Sequence, residues 1–365
     1  MDPFEPKLLP LTSISWEEHV EKLGKANRAL SNYDGKLSGI INQDLLLSPL
    51  ATQEALVSSQ IEGVTQASFD DFLEYEADTK QKIDEKTKDE YLEVENYRFA
   101  LQNAVVLLKF KPFNIDLILE THKILLSNVR GKEKDPGKIR TSQVWIGPPK
   151  SPIEKAQYIP PKPEKVLPLL KNWEEYLHFR EKDPLVQVAI WKAQFELIHP
   201  FRDGNGRIGR MLVPLFLYHK KIIASPLFYV SGYFREHQLQ YYTRLQAISQ
   251  EDDWDGWISF FLDAIYQQSE TNGEKASQII NLYNVMKVQI PGLIKSKHNI
   301  RVIDFLFSKP KFSSTVLIEK TGIPKQTAIR IIDGLEESKI INKIREAKGS
   351  TPDYYAFDRL ISLSK

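Results

Sequence analysis

The chain has 365 residues, more than one ordinary core accommodates, so two or three domains are expected. With 42% hydrophobic and 27% charged residues it reads as an ordinary soluble globular chain, and a net charge of +1 gives no overall nucleic-acid signature. No cysteine is present, which excludes disulfides and thiolate metal sites. The opening MDPFEPKLLPLTS lacks a basic region followed by an apolar core, and the longest apolar stretch, near 211–218, contains Pro214 and is too short to span a bilayer. A cytoplasmic location without a membrane partner is therefore expected.

Most of the chain reads as helix. Ser48-Pro49 is a start signal, and Leu50, Ala55, Leu56 and Ile61 recur at helical spacing, so a helix is predicted from 48 to a stop at Gly63. Glu62 ends it badly. A carboxylate there faces the negative pole of the helix dipole, at a cost of roughly 0.3–1 kcal/mol. Ser58 stands one turn earlier on the same face. Residues 70–97 are heavily charged and read as solvated helix faces around a loop near 79–88. Segments 99–108 and 115–126 carry apolar residues three and four apart and read as core helices.

Between 130 and 163 prolines and glycines punctuate two short pieces, 142–146 and 156–159. Their alternation about a Gly147-Pro148-Pro149 turn predicts a β-hairpin with a long connection. A lone hairpin has unpaired edges, a liability unless something uses them. Helical spacing returns at 166–176 and 185–198, breaks at His199-Pro200, and resumes after Gly206 through Tyr218. Further helices are predicted at 235–249, 254–268 and 276–288, with a boundary at Pro291-Gly292. From 294 to the end, 14 Lys and Arg stand against 8 Asp and Glu, a net +6. That segment reads helix, helix, Gly-Ile-Pro, helix, strand, strand: the order of a winged helix-turn-helix, its recognition-type helix opening at Lys325 to Arg330.

The most informative stretch is HPFRDGNGRIGR, residues 199–210. An apolar helix ends at Ile198 and a new one begins just after Gly204-Asn205-Gly206. Glycines there permit a tight turn and bare N–H groups at a helix N-terminus, which binds anions, phosphate above all. Arg207 and Arg210, three apart, add planar donors suited to phosphate oxygens. Asp203 offers an oxygen ligand to magnesium. His199 has an intrinsic pKa suited to general-base work near neutrality.

These residues fill every fixed position of the Fic signature, His-x-Phe-x-(Asp/Glu)-Gly-Asn-Gly-Arg-x-x-Arg, and the chain resembles that family over roughly residues 1–270. The resemblance implies a mainly α, Fic-type helical core with a small β-hairpin flap, followed by the winged helix-turn-helix. It implies transfer of AMP from ATP to a hydroxyl of a target protein, and of the chain itself, with release of pyrophosphate. His199 would deprotonate the hydroxyl, Phe201 anchor the loop, and Asp203 hold Mg2+. Gly204, Asn205 and Gly206 would form the anion hole, Arg207 clamp a phosphate, and Arg210 hold the γ-phosphate. Ile208 and Gly209 complete the ATP-binding run. The stretch 136–147 looks like the family's flap, along which a target segment could dock as an added strand. Of the pair Tyr241-Tyr242, Tyr242 is the expected neighbour of the adenosine. A homodimer is the family habit.

SSQIEG, residues 58–63, also matches the family's inhibitory pattern, (Ser/Thr)-x-x-x-Glu-(Gly/Asn), through Ser58, Glu62 and Gly63. The expectation is that Glu62 pairs with Arg210, takes the γ-phosphate's place and leaves ATP unproductive. The implied division is 1–98 as an N-terminal helical region with the inhibitory helix at 48–63, 99–270 as catalytic core, 271–293 as a connecting helix and 294–365 as the winged helix. Two other readings stay open. The same site could remove AMP from a modified protein, or the chain could be a nucleotide-sensing, DNA-binding transcription regulator.

Overall fold

The computed structural model describes residues 2–40, 42–77, 83–129, 133–148, 151–347 and 352–365. It is mainly helical, with a small antiparallel sheet near the C-terminus. The first half runs α1 (Trp16–Ser38), α2 (Gln43–Leu46), α3 (Ser48–Ile61), α4 (Phe69–Ala77), α5 (Glu85–Leu108), α6 (Ile115–Leu125), α7 (Pro163–His178) and α8 (Pro184–Ile198). The second half runs α9 (Asn205–His219), α10 (Ser231–Glu236), α11 (Gln238–Glu251) and α12 (Trp254–Leu293). The chain then continues through α13 (Asn299–Ser308), β1 (Lys311–Ser313), α14 (Ser314–Thr321), α15 (Lys325–Glu337), β2 (Asn342–Arg345), β3 (Tyr354–Ala356) and α16 (Asp358–Ser364).

At the centre lies α8, every residue from Leu185 to Ile198 buried, its polar members held by partners: Lys192 pairs with Glu196 at 3.0 Å and Gln187 donates to the Tyr176 carbonyl at 2.8 Å. Asp183 caps its start by accepting from the Leu185 amide at 2.7 Å. Around α8 pack α7, α9, α11 and α12, and α1 lies along α12, tied there by His19 to Asp255 at 2.8 Å. The apolar set predicted for α3 is buried without exception: Leu50, Ala55, Leu56 and Ile61. On its other sides α3 meets α5, α9 and α10 as well as α13 and α16, so it is clasped between the core and the C-terminal segment. That clasp is reinforced from α4, where Asp70 meets Lys311 at 3.3 Å and Glu76 meets Lys309 at 3.1 Å.

Three expectations need correction. The hairpin over 142–146 and 156–159 is reduced to a single antiparallel bridge, Ile146 to Tyr158, with the Ile146 amide donating to the Tyr158 carbonyl at 2.8 Å. Prolines on both sides of it supply no amide donors, so no ladder extends; Pro149 of the predicted turn lies outside the described residues. The separate helices at 254–268 and 276–288 are one 40-residue helix, α12, which runs across the boundary drawn at 270–271 and carries Pro291 in its last turn. Likewise α5 runs unbroken across the boundary drawn at 98–99. The loop expected near 79–88 is confined to the stretch before α5, and its first residues, 79–82, lie outside the described ones. The C-terminal segment holds two elements beyond those predicted, β1 before α14 and α16 after β3, and its strands form a sheet of order β1-β3-β2.

Candidate active site

The loop 199–204 joins two helices through two left-handed residues. His199 caps α8 at φ 49°, and Gly204 precedes α9 at φ 78°. A left-handed His is unusual, and here it is held by neighbours. The fully buried Arg140 donates Nε to the His199 carbonyl at 2.8 Å and Nη2 to the Pro161 carbonyl at 2.5 Å. Burial pulls the His199 pKa below its ordinary 6.5, so the ring is neutral at pH 7. Its Nδ1 lies 3.2 Å from the Glu196 carbonyl, which can only accept. The proton therefore resides on Nδ1 and Nε2 carries the lone pair of a base.

Asn205 staples the loop from inside: its amide donates to the Phe201 carbonyl at 2.8 Å and its Oδ1 accepts from the Phe201 amide at 2.9 Å. Phe201 is buried as expected and stacks on His122 with ring centroids 3.7 Å apart. His122 was invisible to sequence reasoning. It accepts the Gly137 amide on Nδ1 at 2.9 Å, so Nε2 carries the hydrogen donated to the Asp203 carbonyl at 3.0 Å. Burial lowers its pKa to about 4.

The first amides of α9 have no partner within their own helix and form an anion cradle. Glu62 lies against it: a Cβ on Gly206 would overlap the Glu62 carboxylate. Arg210, one turn on, is fully buried. Its Nη1 is 2.8 Å from Glu62 Oε1, while Nε donates to Ser58 Oγ at 2.8 Å and Nη2 to the Ser58 carbonyl at 2.9 Å. Burial disfavours the Arg210 charge, but Glu62 foremost, with Tyr241 and Glu196, outweighs it and holds the guanidinium protonated. The structure thus brings together Ser58, Glu62 and Arg210 from distant parts of the chain.

Glu62 is the C-cap residue of α3 rather than a member of its last turn. Gly63, at φ 64°, donates to the Gln60 carbonyl, and Val64 to the Ser59 carbonyl, both at 3.0 Å: a Schellman stop. The remaining Ile61 carbonyl accepts Gln238 Nε2 at 3.1 Å and the Tyr242 hydroxyl at 3.3 Å. The carboxylate thereby turns away from the negative end of its own helix toward the positive end of α9.

Arg207 is buried and paired with Glu93 of α5 at 2.6 Å and with Asp203 at 3.2 Å. Ile208 is a core residue, and Gly209 makes room for Glu196, whose carboxylate a Cβ would strike. Only backbone atoms of 208 and 209 are left to meet a ligand. Asp203 keeps a partly exposed carboxylate with one oxygen not engaged by Arg207, a donor set that fits magnesium, which takes one or two carboxylates and completes its shell with phosphate and water.

A cavity of about 530 Å³ opens beside these groups, lined by Glu62, His199, Gly206 and Tyr242 from the expected set, and by Trp145, Tyr158 and Glu196. Tyr241 also lines the cavity but is only 2% exposed, and takes part with Glu196 and Lys192 in a buried cluster at its floor. Lys192 is 3.0 Å from Glu196, and burial lowers its pKa to about 8.

Two family models match: the Fic/DOC family over residues 112–217, and the Fic/DOC family N-terminal region over 20–106. The chain carries a Fic/DOC family domain. Its similar relatives include protein adenylyltransferase Fic of Culex quinquefasciatus, 28% identical over 68% of this chain and 46% of that protein. Another is protein adenylyltransferase fic-1 of Caenorhabditis briggsae, 37% identical over 28% of this chain and 19% of that protein. The chain thus spans less than half the length of the curated relatives it matches. Among solved structures, a Fic family protein from Desulfovibrio desulfuricans G20 aligns over 97% of this chain and 98% of its own, with TM-score 0.59 at 19% identity, a likeness of fold. The Fic/DOC region matched at 112–217 contains the whole loop 199–210, and the N-terminal match contains Ser58 and Glu62.

Proposed function

We propose that this chain is a protein adenylyltransferase restrained by its own α3. The observation that carries the reading is the single cavity on which His199, the start of α9 and Glu62 converge. A target hydroxyl gives its proton to His199 Nε2 as its oxygen attacks the α-phosphorus of ATP. The bond from that phosphorus to the bridging oxygen breaks, and pyrophosphate leaves. The α9 amides and Arg210 would face the developing charge, the kind of fixed electrostatic support phosphoryl-type transfer relies on. Asp203 would hold Mg2+, which when bound neutralises phosphate charge. Trp145 and Ile146, both exposed on the flap, offer an edge for the target protein.

With Glu62 on Arg210 and against Gly206, the place of a terminal phosphate is taken, so the wild type should be slow. Incubating wild type, Glu62→Gly and His199→Ala with α-labelled ATP tests this. The expected result is label on protein with Glu62→Gly, little with wild type, and none with Glu62→Gly/His199→Ala. No label from Glu62→Gly, on itself or on any lysate protein, sinks the reading.

One observation favours a second use of the same site: the Glu62 carboxylate is about a third exposed at the cavity wall, where it could orient a water on an AMP–protein bond. Release of AMP from a modified target by the wild type, lost in Glu62→Gly, would select it. The residues 294–365 are read as a winged helix-turn-helix on their element order, with α15 as the surface that DNA would meet; salt-dependent binding of genomic fragments tests that role.

A further inference from the structure

The carbonyls of residues 196–200 lie beyond the hydrogen-bond ladder of α8, as those at any helix end do. The flap serves most of them. Tyr158 donates its hydroxyl to the Leu197 carbonyl at 2.6 Å. Arg140 serves the next three: Nη2 donates to Ile198 at 3.4 Å, Nε to His199 at 2.8 Å and the backbone amide to Pro200 at 2.9 Å. A cation at the negative pole of a helix is favourable, which accounts for an arginine there.

Capping does not account for the rest of the fork. The same guanidinium donates Nη2 to the Pro161 carbonyl at 2.5 Å and Nη1 to the Ser142 carbonyl at 3.3 Å. Those acceptors stand on the two legs of the flap, 140–146 and 158–161. Gln143 joins the same legs by donating to the Pro160 carbonyl at 2.9 Å. Arg140 is 2% exposed, and among the described residues no carboxylate faces it. Its side-chain bonds all go to backbone carbonyls, which is how a buried cation without a counter-ion is satisfied. It lines no part of the catalytic cavity, so any effect on the reaction passes through the groups it holds.

We propose that Arg140 is a positioning residue for AMP transfer, one guanidinium rooting both legs of the flap in the carbonyl of His199. A target segment seated along Trp145 and Ile146 then steadies the residue whose Nε2 acts as base. The proposal rests on the adenylyltransferase reading above. Its physical ground is the backbone of His199: φ 49° is unfavourable for this residue and persists only where the surroundings fix it. Lysine cannot replace the fork, because an ammonium is a point donor and cannot span the helix end and both legs at once.

Arg140→Lys, in the Glu62→Gly chain, is tested by self-incorporation of α-labelled AMP at a series of ATP concentrations. The expected result is kcat lower by about ten- to hundredfold, the effect of a misplaced base, with KM for ATP changed by less than about twofold. An unchanged kcat beside a lower melting temperature would leave Arg140 a helix cap, and a loss confined to KM would place its effect in nucleotide binding; either overturns the proposal. Gln143→Ala loosens the flap legs without touching α8. It should slow transfer about two- to tenfold, and slow Arg140→Lys no further, because the link is already cut. An unchanged rate in Gln143→Ala, or additive losses in the pair, overturns the link, and the first of these needs only that Gln143→Ala folds.

A second readout needs no transfer: the titration of His199 by NMR in histidine-labelled chain, its resonance assigned by loss in His199→Ala. The charges that face His199 are Glu196 on α8, Glu62 at the end of α3 and Arg140, and Arg140→Lys keeps all three. Burial holds the ring below 6.5, so a midpoint that climbs toward 6.5 in Arg140→Lys reports a ring released from its place. An unmoved midpoint overturns the proposal. Failure of Glu62→Gly to transfer AMP at all would count against the adenylyltransferase reading, while the titration still decides whether Arg140 positions His199.

Discussion

Glu62 Oε1 stands 2.8 Å from Arg210 Nη1, yet that nitrogen makes no aligned hydrogen bond. The contact is one of charge. Directional bonds to Arg210 come from Ser58, through its hydroxyl and its carbonyl. Ser58 and Glu62 therefore do different jobs: Ser58 fixes where the guanidinium lies, and Glu62 covers it. A cover held mainly by charge can lift without dismantling the site beneath.

Glu62→Gly should accordingly raise AMP incorporation about ten- to hundredfold, the range of a coupling worth about 1–3 kcal/mol. Arg210 keeps Ser58 and the nearby Glu196 charge, so the melting temperature should change little. The check is α-labelled ATP incorporation beside a thermal melt. A large fall in melting temperature without gain of transfer would mean that Glu62 is structural.

Ser58→Ala should behave in the opposite proportion. It leaves Arg210 Nε buried without its acceptor, a cost of about 1–3 kcal/mol in stability. Glu62 and the Ser58 carbonyl still cover the guanidinium, so transfer should rise less than in Glu62→Gly. Denaturant unfolding and the same incorporation assay, on one preparation, test both signs.

What was legible in the sequence is what local spacing encodes. The helix 48–61 announced itself by its start signal and by Leu50, Ala55, Leu56 and Ile61, and the loop 199–210 by its glycines between two apolar helices. Spacing places Arg207 near Arg210 but cannot reveal Glu93, a partner more than a hundred residues away on α5. His122 escaped for a similar reason: a His on an apolar helix reads as core until Phe201, Gly137 and the Asp203 carbonyl are folded around it. The flap was overdrawn because alternation predicts a strand, whereas pairing needs amides that prolines lack. The 40-residue α12 was underdrawn because polar residues around 269–275 look like a break until α1 is packed along them.

Asp203→Asn, in the Glu62→Gly background, should demand more Mg2+ for the same rate, about tenfold or beyond. It should cost little stability, since Asp203 is a partly exposed partner of Arg207 and Glu93 remains in place. Titrating MgCl2 in the labelling assay reads the first effect and thermal melting the second. An unchanged Mg2+ requirement would remove Asp203 from the metal's shell.

The pH dependence follows from two neutral histidines. Burial puts His122 at about 4 in the folded chain, against 6.5 for the unfolded group. Between those values the unfolded chain binds a proton that the folded chain refuses. Stability is therefore whole above pH 6.5 and lost as pH falls toward 4, by up to about 3 kcal/mol from this group. His199, lowered in the same direction by burial, adds to the fall, so the comparison is made in His199→Ala. There, His122→Gln should start less stable at pH 7, having lost its stack on Phe201, and show a shallower decline from pH 6.5 to 4. For activity the sign is the same at a different atom: protonating Nε2 of His199 removes the base, and its lowered pKa places the acid limb of the rate below 6.5. Urea unfolding of His199→Ala with and without His122→Gln at pH 7, 6, 5 and 4 separates the structural titration from the catalytic one. Parallel declines in the two proteins would show that His122 is not the group that loosens the loop.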